Sequence, residues 1–186
     1  MIRAERSPSQ PHLKPPAVLV RAAGIPELRL VERSVHRLLS SIPSSRLAGL
    51  GAVHLRCRAS LTKAELVKRE RQGKGRRLLG AYYPSSPGRH RAAIDLFVDE
   101  IVERWPRILF RVAFFADVAI ARVLFHELGH HLDARVSPGV RSREGRAEEY
   151  RKELSKEYFR SKYRALAPLA FLLRRCRADH PIDPAT

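Results

Sequence analysis

The sequence predicts an α+β domain in which a small, mostly antiparallel three-stranded sheet packs against a long apolar helix. Three observations lead to this class. The chain has 186 residues, 44% apolar and 30% charged, a balance typical of one globular domain. Three short segments between residues 51 and 98 are predicted to be strands, and the first of them alternates apolar and polar residues, as half-buried strands do. Two longer segments with helical spacing of apolar residues follow residue 106.

The N-terminal residues 1–20 are rich in proline and are predicted to form a flexible tail. Proline fixes φ and lacks the amide donor that a helix or a central strand requires. Residues 21–180 are predicted to form a single domain. Its first helix is expected between Pro26 and Pro43, because apolar residues recur there at helical spacing and proline suits a first helical turn.

Strands are predicted at residues 51–58, 77–83 and 92–98. The short connection between the second and the third indicates an antiparallel hairpin. The strand at 92–98 is expected to offer the edge along which a peptide could pair. Residues 62–72 are read either as a polar helix or as an exposed loop, and both alternatives stay open.

The apolar residues between 106 and 135 predict one long, largely buried helix, which residues 137–139 (Ser-Pro-Gly) end. A second helix is expected from Ser142 toward Cys176, with a break before Pro168.

The charge balance predicts contact with anionic partners. Lys and Arg number 36 against 19 acidic residues, which gives a formal net charge of +17 and a pI near 11.1. Such a charge favours DNA, RNA or another anionic partner, although arginines spread along the whole chain also fit a compositional bias. We predict no transmembrane insertion and no secretory leader, and therefore a cytoplasmic protein. Two cysteines are too few for a disulfide scaffold.

The segment His126-Glu127-Leu128-Gly129-His130 carries the chemistry that the sequence predicts. Positions i and i+4 of a helix lie on one face, so His126 and His130 can direct imidazole nitrogens at one zinc ion. Glu127 can reach water at the open coordination position and act first as general base and then as general acid. This is the spacing of zincin metallopeptidases.

A third protein ligand is needed, and Glu144 is the preferred candidate. It opens the second predicted helix, which can fold back over the first. Glu148 lies one turn later and is predicted to accept the outer N–H of a ligand histidine, with the role of third ligand as its alternative. Tyrosines at 150, 158 and 163, together with His131, are candidates for stabilising an oxyanion, and none is assigned.

The pattern His-Glu-x-x-His followed by Glu144-x-x-Ala147-Glu148 resembles the gluzincin peptidases. The order of a helix, three short strands, a motif helix and a glutamate-bearing helix is similar to that of the minimal gluzincins, which include the ImmA/IrrE-type bacterial peptidases. The resemblance covers roughly residues 50–160. It implies a zincin-like fold, bound Zn²⁺ and hydrolysis of protein or peptide substrates. The alternative hypothesis is a basic nucleic-acid-associated protein with a structural or vestigial zinc site.

Overall fold

A computed structural model describes residues 15–62, 78–86, 91–137 and 144–164 of the chain. It is an α+β structure with four strands and five α-helices in these residues. The elements in chain order are β1 (Ala17–Val20), α1 (Leu28–Ser40), α2 (Ser44–Leu47), β2 (Leu50–Arg56), β3 (Gly80–Tyr83), β4 (Ala92–Phe97), α3 (Val98–Glu103), α4 (Ala113–Val136) and α5 (Glu144–Lys162). Short 3₁₀ turns lie at Arg58–Ser60 and Arg107–Arg111.

The sheet is mixed, which corrects the prediction of a mostly antiparallel three-stranded sheet. Its strand order is β1-β2-β4-β3. The β1–β2 and β2–β4 pairs are parallel, and only the β3–β4 hairpin is antiparallel, as predicted. The connection from β2 to β4 crosses over, so that β3 is added outside β4 rather than between the two. Alternation of apolar residues reports which side chains are buried and does not reveal this chain path.

The fourth strand is β1, which lies in the segment that the sequence analysis assigned to the N-terminal tail. Ala17 pairs with Ala52, and Val20 pairs with Leu55. No proline follows Pro16 in this segment, so the next four residues can donate backbone hydrogen bonds and form the edge strand β1. The residues before 15 lie outside the described part of the chain.

The main core lies between one face of the sheet and the helices α1 and α4. Fully buried side chains on this face come from two neighbouring strands, and their register places them side by side: Val53, Leu55, Ile94 and Leu96. All six residues of β4 are buried, as expected for a strand with a partner on each side. On the opposite face, buried Asp95 accepts hydrogen bonds from His54 and Arg56.

The two long helices follow the predictions with shifted boundaries. The helix predicted for 106–135 is divided, because Val112 has an extended backbone between the 3₁₀ turn and α4. The second helix begins at Glu144 rather than near Ser142 and is described to Lys162; the predicted break before Pro168, and most of the segment 62–72, lie outside the described residues. In the described part of the chain, no helix is both long enough and apolar enough to cross a membrane.

A buried carboxylate joins α1, α4 and α5. Asp117 on α4 is completely buried and receives the Arg37 guanidinium at 2.5 Å. The hydroxyl groups of Tyr158 and Tyr163 donate to the same carboxylate at 2.5 and 2.7 Å. Burial raises the pKa of Asp117, but these hydrogen bonds outweigh burial and leave the pKa below its usual value. The charge therefore holds α5 in place on α4.

Candidate metal site

The helix α4 positions the two histidines of the motif at the edge of the core. Most of its residues from Ala116 to Asp133 are buried, whereas His126 and His130 are half-buried. The spacing of four residues stacks their rings on one face, with ring centroids 4.9 Å apart. Burial lowers the pKa of His130, which favours the neutral imidazole that binds metals.

A close contact between α4 and α5 places Glu144 near the two histidines. Gly129 faces Ala147, and a Cβ added to Gly129 would lie 2.5 Å from the Ala147 carbonyl oxygen. Ala147 is itself fully buried. The helix backbones can approach this closely only because one residue lacks a side chain and the other has a methyl group. Glu144, one turn before Ala147, consequently lies above the two histidines.

His126, His130 and Glu144 form a group that could hold a metal ion, since their candidate ligand atoms all lie within 4.8 Å of one another. Nε2 of His126 lies 3.2 Å from Oε2 of Glu144, and Nε2 of His130 lies 3.7 Å from Oε1. Tetrahedral zinc with bonds of about 2.0–2.1 Å requires ligand atoms separated by about 3.3 Å. The donor set can therefore hold a metal ion, and both nitrogen–oxygen separations lie near the tetrahedral value.

Glu127 is the acidic residue that the fold holds beside this group. It is buried, and burial raises its pKa to about 8, with the charge of Glu144 acting in the same direction. A hydrogen bond from the Tyr82 backbone N–H opposes this rise. A cation bound by the two histidines and Glu144 would also stabilise the ionised carboxylate. The environment of Glu127 thus fits a positive charge at the neighbouring group.

Glu148 lies on the other side of the His126 ring. Its Oε2 is 3.8 Å from Nδ1, whereas Glu144 faces Nε2. Arg151 binds the Glu148 carboxylate with two hydrogen bonds of 2.5 and 2.7 Å and lowers its pKa. Glu148 thus lies on the Nδ1 side of His126, where the predicted outer partner would lie, but beyond hydrogen-bond distance from the ring.

Three of the candidates for stabilising an oxyanion bind other groups of the fold. His131 is buried, donates from Nε2 to the Ala48 carbonyl oxygen at 3.1 Å and has its Nδ1 3.4 Å from the Tyr82 hydroxyl. Tyr158 and Tyr163 bind Asp117 rather than the histidines. The structure thus assigns these three side chains to packing and helix docking.

The strand beside the site is β3, not the predicted segment 92–98. The latter forms β4, which has a strand on each side and no free edge. Phe97 N–H donates to the Leu79 carbonyl, so the antiparallel ladder turns the backbone N–H groups of Gly80 and Tyr82 away from β4. The Tyr82 N–H accordingly reaches Glu127.

Small Ala147 in the sequence already suggested that the two helices approach closely, whereas the parts of Gly129, Gly80 and Tyr82 were missed. A Cβ on Gly80 would lie 2.8 Å from Cγ of Glu127, so glycine is required where the strand crosses α4. One sequence feature could have shown that 92–97 is not the edge strand. This segment is apolar on both faces except for Asp95, which is typical of a central strand.

Comparisons of this chain with protein families, with curated proteins and with solved structures find no match.

Proposed function

We propose that this chain is a zinc-dependent metallopeptidase of zincin-like, gluzincin-type architecture that hydrolyses peptide bonds in protein or peptide substrates. One observation carries the proposal: the convergence of His126, His130 and Glu144 beside a buried glutamate. Two histidines and one carboxylate leave a coordination position open, as catalytic zinc sites do. A purely structural zinc site would have no use for the buried acid at Glu127.

His126, His130 and Glu144 would hold the ion, and Glu148 would orient His126 from the Nδ1 side. When bound, zinc lowers the pKa of water and polarises a carbonyl oxygen. Glu127 takes a proton from the attacking water on a carboxylate oxygen. It then delivers that proton to the amide nitrogen as the C–N bond breaks, so the products are a carboxylic acid and an amine.

The edge of β3 supports a mode of substrate binding. An extended peptide can add to an exposed strand edge through main-chain hydrogen bonds. The outward backbone groups of Gly80 and Tyr82 lie next to Glu127, which itself accepts the Tyr82 N–H, so a peptide would pair through the remaining groups. A peptide paired there would pass over α4 with its backbone beside the proposed metal ligands.

The test compares the native protein with Glu127→Gln, both loaded with zinc, on a library of proteome-derived peptides. Cleavage is read by mass spectrometry, and metal content by elemental analysis. We expect the variant to keep one zinc per chain and to lose cleavage by about 10²–10⁴-fold, the usual contribution of a general base. Exposed Glu149→Gln on α5 is the matched control and should cleave normally. Cleavage by Glu127→Gln at the native rate would refute the mechanism.

A second candidate is nucleic-acid binding, which the net charge of +17 favours. Binding through phosphates weakens steeply as salt rises, because counterions are released from the nucleic acid. Tight, salt-dependent DNA or RNA binding by a zinc-loaded protein that cleaves no peptide would support this candidate over the first.

A further inference from the structure

A small cavity lies beside α4, about one helical turn before the histidines of the candidate metal site. It lies between α4, the residue before β3 and the end of α3. Five of its seven lining residues are apolar and the other two are arginines: Leu79, Ile101, Arg104, Trp105, Ala119, Arg122 and Val123.

Val123 lines the cavity and lies next to Glu127 of the candidate site. This residue lies four positions before Glu127, and both side chains pack beneath Gly80 of β3, where an added Cβ would approach each within 2.8 Å. Leu79, the preceding residue of the same segment, lines the cavity. One helical turn of about 5.4 Å separates the cavity wall from Glu127. A peptide lying along β3 would therefore place a side chain close to the cleaved bond into this cavity.

The two arginines of the lining differ from Arg37 and Arg58 in their ion pairing. Arg37 binds Asp117, and Arg58 binds Glu100. Arg104 and Arg122 are both exposed, and no acidic side chain of the described residues pairs with either. Arg122 lies one turn before His126 on the same face of α4. Two guanidinium groups that have no acidic partner among the described residues, at a cavity also lined by apolar side chains, favour an anionic group with a short hydrocarbon stem.

We propose that this cavity is a specificity pocket for an aspartate or glutamate side chain of the substrate, next to the cleaved bond. The inference rests on the proposed peptidase function and adds the class of substrate. The apolar walls would contact the methylene groups of the side chain, and Arg104 and Arg122 would bind its carboxylate. Acidic segments of proteins would then be preferred over neutral or basic ones, in accord with the basic character of the chain.

The test measures binding separately from cleavage. The zinc-loaded Glu127→Gln protein is equilibrated with a positional library of peptides amidated at the C-terminus, so that only side chains carry carboxylates. We expect peptides with Asp or Glu at one position to bind about tenfold tighter than their Asn or Gln counterparts. Adding Arg104→Gln and Arg122→Gln should remove this preference. Arg111→Gln, at an exposed arginine outside the cavity, is the matched control and should retain it.

Cleavage of the same library by the native protein separates the two hypotheses. An acidic preference in binding with no cleavage would overturn the peptidase proposal and support the pocket as a binding site. Cleavage without an acidic preference, or a preference that both arginine substitutions leave intact, would overturn the pocket and support the peptidase. Zinc content is measured in every variant, and equal content in the arginine variants assigns a lost preference to the pocket.

Discussion

Gly129 and Ala147 face each other at a close backbone contact between the two long helices. A methyl group on Gly129 would lie 2.5 Å from the carbonyl oxygen of Ala147, which no real Cβ tolerates. The contact lies one residue before His130 and three residues after Glu144. The separation of the helices here therefore sets the distance between the histidines and the glutamate.

Gly129→Ala should push α5 away from α4. We expect a loss of about 1–3 kcal/mol in the free energy of unfolding, as for other overpacked positions, and weaker zinc binding. Gly145→Ala is the control, because an added Cβ there meets nothing within 4 Å and alanine favours a helix. Urea unfolding and zinc titration of both variants check this. Equal zinc affinity in the two would show that the helix contact does not position Glu144.

Glu144→Ala should remove metal binding without removing the fold. The Glu144 side chain is 81% exposed, so its loss should change the free energy of unfolding of the metal-free protein by less than about 0.5 kcal/mol. Zinc affinity should fall more than the roughly 10–100-fold seen when an outer partner of a ligand is lost. The readout is the shift of melting temperature on adding zinc, with exposed Glu149→Ala as control. An undiminished shift in Glu144→Ala would remove this residue from the ligand set.

Gly80→Ala should separate zinc binding from catalysis. The added methyl group would meet Cγ of Glu127 and a methyl group of Val123, both at 2.8 Å, while the three candidate ligands are not in its path. We expect normal zinc content by elemental analysis and peptide cleavage reduced at least tenfold, because small displacements of a catalytic group can cost about 100-fold. Normal cleavage would mean that Glu127 tolerates displacement or does not act as the base.

The Asp117 cluster predicts an acid-sensitive stability. The pKa of Asp117 is lowered in the fold, so its contribution is fully present above its unfolded value of 3.8 and is lost as pH falls through the lower folded value. Asp117→Asn should lower the free energy of unfolding at pH 7 by about 3 kcal/mol, because Arg37 loses the negative charge that it pairs with and one of the two acceptor oxygens becomes an NH₂ donor.

The check is urea unfolding of the native protein and Asp117→Asn from pH 7 down to pH 3. The difference between the two should narrow below about pH 4, where the carboxyl group begins to be protonated in the unfolded chain. Tyr158→Phe, which removes one donor, should give a smaller loss of about 1 kcal/mol. A difference independent of pH would show that Asp117 acts through packing rather than charge.

Local spacing was sufficient for the features that depend on a few consecutive residues. Helical periodicity predicted α1 and α4, alternation predicted β2, short apolar segments bounded by turn residues predicted β3 and β4, and the short turn predicted the β3–β4 hairpin. The spacing of His126 and His130 alone puts them on one face of a helix, because four residues complete about one turn.

Contacts between distant segments were decided by the tertiary structure. Ala17–Val20 became a strand only because β2 offered an edge, and β3 rather than β4 became the strand beside Glu127 because the chain crosses over between β2 and β4. Packing of α5 on α4 at Gly129 also places Glu144, rather than Glu148, in one group with His126 and His130. Periodicity records which side chains are buried, whereas partners across a sheet or between helices depend on the path of the chain and on packing at single residues.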